Sequence, residues 1–289
     1  MKSELLRKIG LGTAQFGMEY GINNKSGKIQ KDDVFEVLNF ARENGIDTID
    51  TASVYGESEK IIGEYKDRKL FNIISKFSDS KLKNIIDILN ATLKNLNLNS
   101  IYGYLYHSVE TFKSQPDSLK VLKEIQSANR ILKTGFSLYY TSDLEYLFDK
   151  DIEFELIQVP YSIFDRRFEP YFSEIKNRNI EIHIRSVFLQ GLMFIEEEKL
   201  SDYFKDFKPK LLELDNISKE RKCSKQEIAL NFVLNNEFID KVIIGLDNLN
   251  HLKETINITR VFKKSDDFTA RVSKLKSDDE KFLLPFNWN

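Results

Sequence analysis

Eight short apolar runs, separated by stretches with helical spacing, constrain the fold of this 289-residue chain more than any other feature. The runs are rich in Ile, Val, Phe and Tyr, and most are bounded by Gly, Asn, Asp or Ser, which is typical of buried strands. They cover residues 8–14, 47–50, 71–77, 101–107, 131–137, 154–159, 181–186 and 241–245. Strands that alternate with helices in this way predict a single (β/α)8 TIM barrel of the α/β class, with a doubly wound sheet as the alternative.

The stretches between the runs carry apolar residues three and four positions apart, as amphipathic helices do. In residues 32–44, Asp32 is the predicted N-cap and Gly45 follows the last turn. Further helices are predicted at residues 80–96, 117–128, 142–150, 170–179 and 248–258, and two within 200–236. No linker or low-complexity tract marks a second domain. We therefore assign residues 1–289 to one domain, with a helix and an aromatic tail at about 265–289 packing on it.

Composition argues against several classes of partner. The net charge of -2 and the pI near 6.1 give no general attraction to nucleic acid or to membrane surfaces. No run approaches the roughly 18–20 apolar residues of a membrane-spanning helix, and the N-terminus lacks the apolar core of a signal peptide. The single cysteine, Cys223, excludes an intrachain disulfide and a CxxC metal or redox site. We expect a cytoplasmic protein without a metal.

Three consecutive apolar runs deliver titratable side chains at their ends. Asp50 ends the second run and Tyr55 follows it, Lys76 lies near the end of the third run, and His107 ends the fourth. Because the carboxyl ends of parallel strands meet at one mouth of a barrel, we expect these four side chains to lie close together. A buried lysine must be paired or lose its charge, and Asp50 is the obvious partner of Lys76.

Together these four residues could form a proton-donating site, although each alone could be structural. We expect the nearby ammonium of Lys76 to lower the pKa of the Tyr55 phenol. Tyr55 could then donate a proton to a carbonyl oxygen as negative charge develops on it. A neutral His107 can hydrogen-bond to the same oxygen and orient it.

Other polar residues in the runs and loops are assigned structural roles. His183 is expected to face the helices from the seventh strand. Residues 165–167, with the sequence DRR, are expected to form an ion-pair group at the surface or in a loop. Tyr102, Tyr104 and Tyr106 alternate along the fourth strand and are expected to pack between that strand and the helices.

A set of motifs then connects the chain to a known family. In order along the sequence they are IGLGTAQFG, GIDTIDTASVYGESEKIIG, ISKF, YLYHS, GFS, QVPYSIFDRR, RSVFLQGL and IIGLDNLNHLKET. With these motifs, the sequence resembles the aldo-keto reductase family, and in particular its compact bacterial members. The resemblance implies a (β/α)8 barrel that uses NAD or NADP to reduce aldehydes or ketones, including sugar-derived carbonyls. It also implies that Asp50, Tyr55, Lys76 and His107 are the catalytic residues.

The resemblance further implies which residues bind the cofactor. Those expected at the nicotinamide, its ribose and the pyrophosphate are Gly12, Thr13, Ser137, Gln158, Arg185, Ser186 and Gly191. Those expected at the 2′-phosphate and the adenine are Gly245, Leu246, Asp247, His251, Glu254 and Thr255.

The chain departs from the family at three of these places. Leu138 replaces a frequent Asn, and Arg185 stands where many relatives stack an aromatic ring on the nicotinamide. Asp247 stands where relatives that favour NADP usually carry Lys or Arg, so NAD or dual use becomes more plausible. Two other functions stay open. One is a cofactor-binding regulatory subunit with low turnover, and the other is a sugar-modifying enzyme that works through transient oxidation.

Overall fold

Eight parallel strands close into a barrel in the computed structural model, which describes residues 2–22, 24, 27–78, 85–259 and 266–288. The strands are β1 (Ile9–Gly12), β2 (Thr48–Asp50), β3 (Asn72–Phe77), β4 (Ile101–Tyr106), β5 (Ile131–Ser137), β6 (Leu156–Pro160), β7 (Glu181–Arg185) and β8 (Lys241–Gly245). The barrel closes through β1 and β8, where Gly10 pairs with Ile243. The predicted (β/α)8 barrel is confirmed, and each strand boundary lies within two residues of its predicted position.

Helices follow the strands along the chain. They are α1 (Lys2–Arg7), α2 (Ala14–Gly17), α3 (Lys31–Glu43), α4 (Ser58–Glu64), α5 (Ile85–Leu96), α6 (Val109–Ser114), α7 (Ser118–Ser127), α8 (Thr141–Asp149), α9 (Phe172–Asn177), α10 (Lys208–Arg221), α11 (Lys225–Leu234), α12 (Leu249–Ile258), α13 (Asp266–Leu275) and α14 (Glu280–Leu283). Short 3₁₀ turns lie at Arg68–Leu70, Glu169–Tyr171, Leu189–Phe194, Glu197–Lys199, Asp202–Phe204 and Pro285–Asn287. In the part of the chain described here, no helix is long and apolar enough to cross a membrane.

Two helix starts differ from prediction, and a third is not described. Gln30 occupies the N-cap position of α3, so the assignment of Asp32 as N-cap is wrong. Asp32 lies in the first helical turn instead, where its carboxylate faces the positive end of the helix dipole. The helix predicted at 170–179 is a 3₁₀ turn followed by α9. The start of the helix predicted at 80–96 lies outside the described residues.

The barrel encloses a small apolar cluster, separate from the main core between strands and helices. Ile74, Leu105 and Leu156 form this cluster from β3, β4 and β6. A close fit is visible at Gly10, where an added Cβ would lie 2.7 Å from Cδ1 of Ile243. The interior of the barrel is therefore filled with side chains, as in other closed barrels of eight strands.

Two structural predictions are wrong on the inner side of the barrel. Tyr102 packs on the enclosed cluster, and its hydroxyl donates to Oε1 of Glu181 over 2.8 Å. His183 pairs in register with Gln158, and its Nε2 lies 3.5 Å from Oε2 of Glu181, so it faces inward rather than the helices. Tyr106 does pack among aromatic rings outside the strands, with its ring centroid 4.9 Å from that of Phe136.

The C-terminal segment contacts the barrel through backbone, charge and aromatic groups. The Ser277 amide donates to the Phe164 carbonyl over 2.8 Å. Asp165, which is fully buried, accepts from Arg167, and Arg167 also pairs with Glu280. The DRR segment therefore forms ion pairs in a loop, as expected, and its aspartate is fully buried there. The assignment of residues 1–289 to one domain stays a prediction.

Candidate active site

A cavity of about 400 Å³ lies at the C-terminal ends of the strands and reaches α12. All the site residues predicted from the sequence line it. They are Asp50, Tyr55, Lys76, His107, Gly12, Thr13, Ser137, Gln158, Arg185, Ser186, Gly191, Gly245, Leu246, Asp247, His251, Glu254 and Thr255. Active sites of barrel enzymes lie at this end of the strands. The structure therefore brings the predicted residues together, while their individual roles stay predictions.

A buried ion pair lies at the base of the cavity. Nζ of Lys76 donates to Oδ2 of Asp50 over 2.5 Å and to the Thr51 carbonyl over 2.9 Å. Both side chains are almost completely removed from solvent. Burial lowers the pKa of Lys76, and the charge of Asp50 opposes that shift. The ammonium is thus held in place by its partner on the neighbouring strand, as the sequence predicted.

Two glycines fix the loop that carries Tyr55. A Cβ on Gly17 would lie 1.8 Å from the Tyr55 carbonyl oxygen, and one on Gly56 would lie 2.4 Å from the Gly17 oxygen. Gly56 also has a φ of +56°, which side chains rarely adopt. The Tyr55 loop therefore packs directly on the backbone of α2. This contact gives a physical reason for the glycines in two of the motifs quoted above.

Tyr55 and His107 face each other beside the ion pair. Their ring centroids are 6.0 Å apart, and Nζ of Lys76 lies 5.3 Å from the centre of the Tyr55 ring. Burial raises the pKa of Tyr55, with Asp50 adding to the rise and Arg185 opposing it. The lowered pKa expected from the sequence is wrong, because burial of the phenol dominates. Tyr55 is therefore a protonated phenol at neutral pH.

His107 is neutral over the whole physiological range of pH. Burial lowers its pKa to about 3, and the positive charges of Lys76 and Arg185 contribute in the same direction. A neutral imidazole carries one N–H donor and one acceptor nitrogen. The site therefore offers two uncharged donors, the Tyr55 hydroxyl and the His107 ring, beside a fixed ammonium.

Gln158 crosses the mouth of the barrel from the opposite side. It lies on β6, four strands from β2, and its Nε2 donates to Oδ1 of Asp50 over 2.7 Å. Its Oε1 is buried and has no hydrogen-bond partner among the described residues. Oγ1 of Thr255, on α12, is a second such atom. Buried polar atoms are nearly always satisfied, so both atoms indicate acceptors or donors kept for a ligand.

Arg185 projects into the cavity from the end of β7. Its guanidinium donates to the Leu138 carbonyl over 2.9 Å and to Oγ of Ser186 over 3.3 Å. Its central carbon lies 3.9 Å from the centre of the Tyr139 ring. Within the described part of the chain, no carboxylate lies within 4.0 Å of this guanidinium. Leu138, where relatives often have Asn, thus contributes its backbone carbonyl as an acceptor for Arg185.

The other end of the cavity lies at the start of α12. Asn248 caps this helix by accepting from the His251 amide over 3.0 Å. Oδ2 of Asp247 lies 3.5 Å from Nδ1 of His251, one helical turn further on. Asp247 therefore has a partner that is positively charged when the imidazole is protonated.

The sequence reasoning missed part of the cavity wall. Tyr20, Tyr139, Phe188 and Gln226 also line it. Nε2 of Gln190 donates to the Tyr20 hydroxyl over 2.9 Å, which links two loops across the mouth.

The loop after β7 carries an uncommon backbone conformation. Ser186, Leu189, Gln190 and Gly191 all have positive φ values, between 45° and 91°. Such residues cluster at functional sites, but the sequence signals only the glycine among them.

Comparison with known proteins finds similar sequences and similar folds. Residues 8–277 match the model of the aldo/keto reductase family. The chain is 25% identical, over an alignment of 299 residues, to aldo-keto reductase YhdN of Bacillus subtilis (strain 168), covering 90% of this chain and 87% of that protein. It is 22% identical to oxidoreductase YqkF of the same organism, covering 94% of this chain and 98% of that protein.

The barrel has counterparts among solved structures. It is similar to aldo-keto reductase AKR11C1 from Bacillus halodurans in its holo form, with a TM-score of 0.74 at 17% sequence identity. That similarity covers 94% of this chain and 93% of the other. At this level of identity it bears on the fold alone.

Proposed function

This chain belongs to the aldo/keto reductase family of oxidoreductases, and we propose that it reduces an aldehyde or ketone to the alcohol with NADH or NADPH. We assign Tyr55 as the proton donor, assisted by Asp50, Lys76 and His107. The observation that carries this proposal is the buried Asp50–Lys76 pair beside a protonated Tyr55 and a neutral His107 in one cavity.

The proposed chemistry follows from the charges of the site. When bound, a reduced nicotinamide supplies the hydride that the carbonyl carbon accepts. Tyr55 gives its proton to the carbonyl oxygen, because the alkoxide that forms there is more basic than a phenolate. Lys76, whose Nζ lies 5.3 Å from the ring, stabilises the negative charge left on Tyr55. Asp50 keeps Lys76 in position, and His107 orients the carbonyl oxygen by hydrogen bonding.

Two buried atoms support a dinucleotide cofactor. The free Oε1 of Gln158 suits the carboxamide of nicotinamide, which carries N–H donors. The free Oγ1 of Thr255, on α12 at the other end of the same cavity, suits the adenine end. The residues present therefore fit such a group, with Ser186 and Gly191 assigned to its pyrophosphate.

The main test is the removal of one hydroxyl. We expect Tyr55→Phe to lower kcat/KM for aldehydes and sugar ketones by about 10²- to 10⁴-fold, since general acid catalysis is lost. Cofactor affinity, measured by titration calorimetry, should change little. Tyr140→Phe, at an exposed tyrosine outside the cavity, is the matched control. An unimpaired Tyr55→Phe enzyme would contradict the assignment, and cofactor binding without turnover in wild type would favour the regulatory alternative.

We propose use of NAD, or of both nucleotides, because Asp247 stands where relatives that favour NADP usually carry Lys or Arg. Asp247→Arg should raise affinity for NADPH relative to NADH by about 10-fold, the effect of roughly one charged hydrogen bond. Asp247→Asn separates loss of the negative charge from gain of a positive one. A wild-type enzyme that strongly prefers NADPH would show that the phosphate avoids Asp247.

A further inference from the structure

We propose that Arg185 binds a carboxylate of the substrate, so that the preferred substrates are 2-oxo acids, in which a carboxylate adjoins the reacting carbonyl. This inference rests on the carbonyl reduction proposed above. In such a reaction the carbonyl carbon gains a hydride from the reduced cofactor and the oxygen gains a proton from Tyr55. The 2-oxo acid becomes a 2-hydroxy acid, and the cofactor is oxidised.

The guanidinium of Arg185 is only partly used by the protein. Of its five N–H donors, one contacts the Leu138 carbonyl and another makes a long contact with Ser186. Tyr139 covers one face of its plane at 3.9 Å. Together these contacts fix the orientation of a planar fork while leaving donors free. Such a fork matches the two oxygens of a carboxylate.

The guanidinium lines the same cavity as Tyr55, Lys76 and His107. Arg185 belongs to β7, and its acceptor Leu138 follows directly after β5, so the side chain extends across the C-terminal end of β6. Gln158 projects from β6 to Asp50 at this same end. Consistent with proximity, the charge of Arg185 contributes to lowering the pKa of His107.

The charge balance at this end of the cavity is positive. Lys76 is neutralised by Asp50, while Tyr55 and His107 are uncharged at neutral pH. Arg185 has no carboxylate within 4.0 Å among the described residues. An anion bound here would therefore meet an uncompensated, preoriented cation, and a neutral carbonyl compound would leave it without a partner.

An aromatic wall continues outward from Arg185. Tyr139, which stacks on the guanidinium, makes an edge contact with Phe286 at 5.2 Å between centroids. Phe286 is about half exposed, although it is a large apolar side chain. We therefore choose phenylglyoxylate as the probe, because its ring can stack on Tyr139 of the cavity wall, and its methyl ester as the neutral counterpart.

The test compares these two probes in wild type and in Arg185 variants. We expect Arg185→Met to lower kcat/KM for phenylglyoxylate about 10- to 100-fold more than it lowers kcat/KM for the methyl ester, because loss of a charge-assisted pair affects only the anionic probe while any effect on the cofactor is common to both. Arg185→Lys keeps the positive charge but loses the planar fork of N–H donors. Its kcat/KM for phenylglyoxylate should therefore lie between those of wild type and Arg185→Met. Arg178→Met, at a partly exposed arginine outside the cavity, is the matched control.

Calorimetry with oxidised cofactor gives a readout without turnover. At saturating oxidised cofactor, phenylglyoxylate should bind wild type more tightly than Arg185→Met by a similar factor, and this factor should exceed any change in the dissociation constants of NAD and NADP. If both probes and both cofactors weaken equally, Arg185 serves the pyrophosphate or the nicotinamide and the proposal is overturned. Binding that depends on Arg185 in an enzyme that reduces no carbonyl would instead refute the reductase function and keep the anion site.

Discussion

Among the described residues, two ion pairs have both partners buried, and their surroundings differ. Lys76 reaches Asp50 through a single contact of 2.5 Å, and both residues line the cavity. Arg167 holds Asp165 through two contacts, of 3.0 and 2.8 Å, and contacts Glu280 with a third nitrogen. Arg167 and Asp165 lie beneath the C-terminal segment and do not line the cavity. The second pair is therefore enclosed by protein, whereas the first faces space for a ligand.

The contrast shows that burial of an ion pair does not by itself mark an active site. Burial would lower the pKa of Arg167, but the hydrogen bonds and charge of Asp165 outweigh it and raise that pKa. At Lys76 the balance runs the other way, and burial lowers the pKa. At Lys76 the partner's charge and hydrogen bond do not fully offset the cost of burial, and the ammonium lies next to a cavity. Such a cation can respond to negative charge that develops on a neighbouring group. A pair whose contacts fully offset the cost of burial can only support the fold.

Breaking the Asp50–Lys76 pair should have the largest effect. We expect Lys76→Met to lower kcat/KM by about 10²- to 10⁴-fold and to lower the free energy of unfolding by about 3 kcal/mol, because it leaves Asp50 buried without its cation. Chemical denaturation and steady-state kinetics measure the two effects separately.

The double variant Asp50→Asn with Lys76→Met sharpens this result. It removes the uncompensated charge, so stability should recover toward wild type while activity stays lost. Recovery of activity together with stability would mean that Lys76 acts only by supporting the fold.

Breaking the Asp165–Arg167 pair should affect stability and spare the chemistry. Arg167→Met is expected to lower the free energy of unfolding by about 3 kcal/mol, because the fully buried Asp165 loses its partner. At temperatures where the variant is folded, kcat/KM should stay within about 3-fold of wild type. Arg166→Met, which removes the more exposed pair with Glu169, is the control and should cost less than about 1 kcal/mol. A large loss of activity in folded Arg167→Met would erase the distinction between the pairs.

The sequence allowed the first pair to be predicted but not the environment of the second. Asp50 and Lys76 end neighbouring strands, so the parallel barrel alone brings them together. The burial of Asp165 depends on Ser277, more than a hundred residues away, and no local pattern encodes that contact. The same limit applies to Tyr55, whose nearby charges can be read from the motifs while its degree of burial cannot.

His183 and Tyr102 show two further limits. Strand alternation tells which residues share a face but not which face turns inward when both carry polar groups, and the inward direction of His183 follows from its pairing in register with Gln158. Tyr102 shares a strand face with the outward Tyr106, yet at the start of β4 its side chain packs on the enclosed cluster and its hydroxyl reaches Glu181. Both facts emerge only when eight strands are assembled.

Glu181 offers the smallest and finest test of the comparison. It shares the barrel interior with Lys76 but is held by Tyr102 and Lys133, and it is not part of the cavity wall. Burial alone would raise its pKa, but the nearby His183 ring and the hydrogen bonds from Lys133 and Tyr102 outweigh burial and lower the pKa to about 2. Because the folded-state pKa lies below the unfolded value near 4.3, the stabilisation is complete above about pH 4.5 and is lost as the pH falls toward 2.

We expect Glu181→Gln to lower the free energy of unfolding by about 1 kcal/mol at pH 7, a modest value because the carboxylate is partly exposed. The difference from wild type should shrink as the pH falls below 4, and kcat/KM should not change beyond about 3-fold. Urea denaturation at pH values from 7 to 3 measures the difference in the free energy of unfolding, and Glu174→Gln on the exposed face of α9 is the control. A pH-independent difference would mean that ionisation of Glu181 does not stabilise the fold, and a loss of activity would mean that its charge is coupled to the site despite lying outside the cavity wall.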